Sequence, residues 1–334
     1  VVSCVLVGIF GSMRGLAINF VTLGATVFLA GMMSALVPMN LHKIGSVWFA
    51  RRRLGLANGV VAAGMAFGFM TGAMISATVL SPWLGSWRQV MFFYGALAAL
   101  MAIPWALTRP APRKSQPEED VAETPSIRDN LAHVIRTKNV WLLGFVTLCA
   151  GGCIQGMLGY LPLYLREIGW PASLADSALA SFHAASLLTV IPFTLLSDRL
   201  GSRKRLLVIA VVMVVVGVGT LSFAQGALIW MAVLLAGLVR DGYMAVYFTM
   251  VTESKGIGVL FAGTAMGLAS TFSRIGGLVA PPVGNSLASF GLSLPFLFWS
   301  SMALVGLICL LFAKEGEGET SYSPVASSAQ VSSQ

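Results

Sequence analysis

Apolar runs of about 20 residues, separated by short polar or basic turns, follow one another along almost the whole chain. A hydrocarbon core about 30 Å thick takes about 20 helical residues at 1.5 Å each, so every such run predicts a transmembrane helix. The runs fall at 1–18, 22–47, 56–79, 89–107, 139–162, 176–197, 206–224, 227–250, 258–281 and 292–313. Alternating strands of about ten residues, the pattern of a membrane barrel, are absent from the sequence. The predicted fold class is therefore an all-α polytopic membrane protein with about ten transmembrane helices. Two stretches interrupt the pattern. "TRPAPRKSQPEEDVAETPSIRDN" (108–130) is rich in Pro and charge, cannot cross lipid, and marks a linker drawn over 108–138. It divides the chain into four helices (1–107) and six (139–313), and the Ser-rich end, 314–334, reads as a disordered tail. Residues 1–12 lack the basic start and cleavage pattern of a signal peptide and read as a helix already under way.

Composition agrees: of 334 residues 57% are hydrophobic and 10% charged, against about 25% charged in a soluble domain. All four cysteines (Cys4, Cys149, Cys153, Cys309) lie inside predicted spans, where they act as small apolar residues and not as a disulfide framework. Cys149 and Cys153 are one turn apart, but no His or carboxylate lies beside them, so no metal site and no cofactor are expected. The net charge of +8 changes the picture only through its placement. If the spans alternate, one set of loops holds Arg51, Arg52, Arg53, Arg109, Arg113, Lys114, Arg128, Arg136, Lys138, Arg199, Arg203, Lys204, Arg205, Lys255 and Lys314. The other holds little beyond Arg88 and Arg166. By the positive-inside rule the first set is cytoplasmic, with the linker and C-terminus, in the plasma or cytoplasmic membrane. The charge is thus topological, and no nucleic-acid partner is expected.

An internal repeat emerges when the first block slides along the second by 205 positions. "VMFFYGALAAL" (90–100) falls on "PFLFWSSMALV" (295–305), setting Phe93 and Tyr94 over Phe298 and Trp299, and Gly72 falls on Gly277. Val1 falls on Leu206, so 139–205 has no counterpart. This predicts that the chain, as a truncated reading frame or partial gene, lacks about 70 N-terminal residues of a twelve-helix protein.

The unmatched segment holds "LLSDRLGSRKRLL" (195–207), with an Asp at a helix end, a Gly-bearing turn and a basic cluster. It resembles the signature loop of the major facilitator superfamily, matching at Asp198, Arg199, Gly201, Arg203 and Lys204, with Thr194 where the family usually has Gly. "PMNLHKIGSVWFARRRLGLANG" (38–59) is similar to the family's link between its fourth and fifth helices. The resemblance implies two six-helix bundles rocking about a central site lined by 22–47, 139–162 and 227–250 in this numbering. It also implies a gating loop at Asp198, Arg199, Gly201, Arg203 and Lys204, the Asp held by the positive end of the helix starting near Leu56. The family's antiporters usually end their fifth-helix motif Gly-Pro, whereas here Gly72 precedes Ala73. Gly64, Gly68 and Gly72, four residues apart, are expected to let two helices approach closely.

A charge at the centre of a membrane helix costs about 2.5 to 3.5 kcal/mol, so it faces protein or a water path. Lys43 is close enough to an interface to snorkel. His183 reads either as a proton relay or as a hydrogen-bonded packing residue, and Arg274 as either an entry-path residue or an end anchor. Arg240 lies about 20 Å into its helix, too deep for easy snorkelling. Tyr243 and Tyr247 follow at i+3 and i+7, so the spacing puts a guanidinium and two phenols on one face, a candidate anion pocket. Gln155, Tyr160 and Asn40 are candidate polar partners from the other lining helices, Gln155 and Asn40 the two assigned to the site. Asp241 is expected about 100° around the helix, facing Gly237, Ala245 and Phe248, as the proton carrier. The structural alternative is that both charges only fix packing against neighbouring helices.

Residues 1–117 contain no Asp or Glu, which argues against cationic substrates and for an anion. The expected function is secondary transport of a small organic or inorganic anion by alternating access, with a co-transported proton, by a monomer in the lipid bilayer. A non-transporting membrane sensor with the same fold and a multidrug efflux protein of the same superfamily are the alternatives. A membrane enzyme finds no nucleophile with its base, metal cluster or phosphate loop to support it.

Overall fold

The structure, a computed structural model, describes residues 1–48, 51–108, 127–200, 202–254 and 256–315; within these, the side chains of 35–36, 38–59, 62, 127–129, 198 and 258–260 lie outside the description. Its helices are α1 (Val2–Met13), α2 (Phe20–Trp48), α3 (Arg51–Ile75), α4 (Ser81–Leu84), α5 (Trp87–Leu100), α6 (Ala102–Leu107) and α7 (Ile127–Arg136). There follow α8 (Lys138–Glu167), α9 (Ala172–Leu200), α10 (Arg203–Thr220), α11 (Ala227–Gly237), α12 (Arg240–Thr252), α13 (Gly258–Ser286) and α14 (Leu294–Phe312). No strand occurs among the described residues. Among the described residues six stretches, 63–84, 87–107, 138–167, 172–197, 227–252 and 294–312, are long and apolar enough to cross a membrane, and 2–16 and 20–34 are shorter apolar helices. With no water at that depth, a helix is the one element that satisfies its own backbone.

Small residues decide which helices touch. A Cβ on Gly276 of α13 would meet the Leu148 carbonyl oxygen, so the backbones of α8 and α13 lie in contact. Trp299 of α14 is fully buried, donates its indole N–H to the Ala280 carbonyl at 2.8 Å, and lies in a slot whose walls are Gly156 and Gly284. The first group of helices repeats these pairings at the offset seen in the sequence. There α1 packs on α5 and on α2, as α10 packs on α14 and on α11. Tyr94, the repeat counterpart of Trp299, reaches Ser76 at 2.8 Å just beyond α3, as Trp299 reaches α13. The two groups meet where α3 packs along α9. That contact is not made through Gly64, Gly68 and Gly72: a Cβ at any of them would meet nothing within 4 Å, which corrects the close approach their spacing predicts.

The helix ends sort into two sets. At one end Asn139 donates to Ser254 and to the Lys314 carbonyl, and Arg203 pairs with Glu253. Within the segment expected to be linker, α7 is a helix that clamps this end. Its Val134 is fully buried, and its His133 stacks on Phe261 at 4.2 Å, with Nε2 2.7 Å from the Gly256 carbonyl. At the other end Tyr164, Trp170, Ser222, Gln225 and Leu292 line a cavity of about 550 Å³, and Arg166 pairs with the buried Asp176 at 2.6 Å.

Candidate transport site

The 26-residue span 227–252 is not one helix. It breaks at Leu238 and Val239, in the middle, so α11 ends and α12 begins at membrane depth. A break there frees backbone groups that lipid cannot satisfy. α9 satisfies them: the Thr189 hydroxyl donates to the Leu238 carbonyl at 2.5 Å, and the Ser186 hydroxyl accepts the Asp241 N–H at 3.1 Å. Glycines on both sides let α9 come this close. A Cβ on Gly237 would meet the Phe182 carbonyl, and one on Gly242 the Phe193 ring.

Arg240 is the first residue of α12, so its guanidinium, the half-helix N-terminus and its dipole converge mid-membrane. A carboxylate already sits there. Asp241 accepts from Arg240 at 2.6 Å through Oδ1 and from the Ser186 hydroxyl at 2.7 Å through Oδ2. This corrects the expectation that Asp241 turns about 100° away on separate duty. Residues adjacent in sequence splay apart along a continuous helix, but Arg240 opens the helix, and its long side chain folds onto its neighbour. The pair is not sealed, since the two side chains are 23% and 22% exposed. The guanidinium also lies 5.6 Å from the centre of the Phe69 ring, on α3 of the other helix group. Phe69 in turn stacks on His183 of α9 at 5.5 Å.

The two phenols are corrected as well. Tyr243 and Tyr247 are 2% and 0% exposed and stack on each other at 5.8 Å against α8. Tyr247 donates to the Leu143 carbonyl at 2.9 Å, and the Tyr243 hydroxyl, beside Thr147, makes no hydrogen bond of ordinary geometry. Their face of α12 belongs to the helix core, so neither hydroxyl meets the guanidinium. Gln155 is exposed on the same stripe of α8 as Trp141 and Phe145, with its stem next to Gly277. Tyr160, the other polar candidate on α8, donates to the Leu292 carbonyl at 3.0 Å. Asn40 and Lys43 belong to α2, their side chains outside the described residues. Arg274 is exposed on α13.

In the expected gating loop, Gly201 and the Asp198 side chain lie outside the described residues, as do the side chains around Leu56, whose backbone belongs to α3. Arg199 is exposed. Arg203 donates to Ser197 at 3.0 Å and pairs with Glu253 at 3.4 Å, and Lys204 Nζ donates to the Leu311 carbonyl at 2.7 Å. Glu315 caps α10, accepting from the Ser202 hydroxyl at 2.8 Å and from the Arg203 and Lys204 N–H groups.

Residues 1–262 match the family model described as Major Facilitator Superfamily. The chain belongs to the major facilitator superfamily. It is similar to the gentisate transporter of Corynebacterium glutamicum, 22% identical over 319 residues that cover 92% of this chain and 70% of that protein. It is also similar to the cis,cis-muconate transport protein of Acinetobacter baylyi, 25% identical over 333 residues, covering 90% of this chain and 74% of that one. Among solved structures it resembles the nucleoside transporter NupG, with a TM-score of 0.70 at 12% identity, covering 94% of this chain and 82% of that chain. The E. coli fucose:proton symporter gives a TM-score of 0.64 at 15% identity over the same shares. At such identities the structural likeness shows the fold. This member of the superfamily is an integral multi-pass membrane protein and a secondary transporter of a small solute, not an enzyme.

In this superfamily member, three residues of the cluster escape a reading of 227–250 by itself: Phe69, Ser186 and Thr189. The last two, with His183, recur every third residue on one side of an apolar helix, a polar stripe visible in the sequence. Nothing marks Phe69 among its apolar neighbours.

Proposed function

We propose that the transported solute is a small organic anion bearing a carboxylate, and that one proton travels with it. The observation that carries this reading is the resident carboxylate of Asp241 on Arg240, at a half-helix N-terminus in the middle of the membrane. While Asp241 is charged, Arg240 is neutralised and an incoming anion finds no free cation. Protonation of Asp241 removes its charge and frees the guanidinium, whose paired N–H donors suit a substrate carboxylate. Anion and proton then bind together, and the loaded site has the same net charge as the empty one, which keeps its passage through the membrane inexpensive. Two relatives are named for carboxylates, gentisate and cis,cis-muconate, which agrees with this chemistry.

Gln155, exposed on α8, and Asn40 on α2 belong to the proposed binding surface. Tyr243 and Tyr247 support α12 from behind. Asp198, Arg199, Gly201, Arg203 and Lys204 form the proposed gating loop, on the cytoplasmic side with the C-terminus, in a monomer. The decisive experiment uses proteoliposomes and purified protein with gentisate and cis,cis-muconate as probes. The parent binds one of them by titration calorimetry and accumulates it under an inside-alkaline gradient. Asp241→Asn retains counterflow exchange and loses gradient-driven accumulation, while Arg240→Gln loses binding. Binding unchanged in Arg240→Gln, or a parent that carries only neutral or cationic solutes, overturns the reading.

A further inference from the structure

The described charges near His183 are Arg240 and Asp241 on α12; α3 contributes the uncharged Phe69, and α8 and α11 bring no charge to it. His183 is 6% exposed, and its Nδ1 has no hydrogen-bond partner among the described residues. An orphaned ring nitrogen beside an ion pair lowers stability in this state, so packing alone does not account for it. What covers it is informative. The Phe69 ring lies flat on the imidazole, with 23° between planes, and the same ring faces the Arg240 guanidinium. Phe69 belongs to the helix that joins the two groups, so it stays over His183 and Arg240 only while α3 and α9 are packed together.

We infer that His183 is the proton entry to Asp241 and that Phe69 is the plug that closes this entry whenever α3 lies against α9. The inference rests on the proton coupling proposed above and supplies its route. When the helix groups part, the Phe69 ring leaves and water reaches the imidazole. Nδ1 takes a proton from a hydronium ion, and the imidazolium passes one proton to the Asp241 carboxylate, directly or through water. His183 returns to its neutral form, Asp241 is neutral, and Arg240 is left without a counter-charge for the substrate carboxylate. With Phe69 in place the imidazole has no water donor, so no proton enters by way of His183 while α3 lies against α9. His183 carries the proton as far as Asp241, while Phe69 never carries one.

The test needs no substrate. Purified protein in liposomes containing a pH-sensitive dye is given an acid jump outside, and proton entry is timed. Phe69→Ala raises proton entry at least about tenfold over the parent, because the buried relay is now wet. Phe69→Leu, which keeps an apolar plug, stays tight. The double variant Phe69→Ala with His183→Gln is tight again, since glutamine hydrogen-bonds but does not carry the proton. A tight Phe69→Ala overturns the plug, and a double variant as leaky as Phe69→Ala overturns the relay. A variant that fails to elute as a monodisperse peak is replaced by Phe69→Ser, small and polar, with the same leak expected. Failure of the coupling itself reads differently: the parent then accumulates carboxylate with no dependence on the pH gradient, whatever the leak assay shows.

Discussion

The residues that decide this site differ in what their spacing discloses. Tyr243 and Tyr247 stand at i+3 and i+7 from Arg240, a spacing that predicts a shared face, and the prediction fails because that face is packed on α8. The Tyr247 hydroxyl is spent on the Leu143 carbonyl, so its removal is a matter of stability and not of substrate. Tyr247→Phe is expected to lower stability by about 0.6 kcal/mol, the average for a hydrogen bond between membrane helices. Thermal unfolding in detergent measures that loss, and the KM for transport is expected to stay at the parent value. A KM raised as far as by an Arg240 variant would return the phenol to the binding site. The charged pair was legible as an anomaly, since Arg and Asp in an apolar span need an explanation in any sequence. Its geometry was not, because a period of 3.6 residues assumes a continuous helix and the chain breaks at Val239.

The break itself is a property of elements. Gly237 and Gly242 flank the charges in sequence, and interrupted spans are where transporters of this fold place their sites. The glycines do more than loosen the chain, because each removes a side chain that α9 would strike. α9 then provides the two hydroxyls that replace the backbone bonds lost between α11 and α12. Replacing Ser186 with Ala leaves the Asp241 N–H unbonded and takes one of two donors from the carboxylate. Thr189→Val strands the Leu238 carbonyl while nearly preserving shape. Each change is expected to cost about 1 kcal/mol, within the range for interhelical bonds in membranes. The two differ in function. Ser186→Ala removes a hydrogen bond from the Asp241 carboxylate itself and is expected to lower gradient-driven accumulation severalfold. Thr189→Val, whose hydroxyl reaches only the Leu238 carbonyl across the helix contact, leaves accumulation near the parent value. Equal accumulation by both variants would show that Ser186 serves only as a cap.

At the scale of the whole molecule the sequence discloses more, because a bilayer restricts the possible structures. Runs such as 139–162 and 292–313 become helices with no competing option, and the offset of 205 reappears as matched helix pairings. The α3 to α9 junction was illegible for the same physical reason. Apolar side chains pack equally well on lipid and on helix, so no residue type marks the joining face. Orientation rests on a different physics, the cost of moving Lys and Arg across the membrane. The folded chain gathers Arg203, Lys204, Glu253, Lys314 and Glu315 at one end and Trp170, Gln225 and Leu292 at the other. If the basic end is cytoplasmic, a thiol at either end reports it directly. In a background with Cys4, Cys149, Cys153 and Cys309 replaced, Gln225→Cys is expected to react with a membrane-impermeant maleimide on intact cells. Lys314→Cys is expected to react only after the cells are opened, since no impermeant reagent reaches that end from outside. The two sites exchange roles if the protein is inserted the other way. Labelling of Lys314→Cys on intact cells would therefore overturn the orientation while leaving the fold and the Arg240 site untouched.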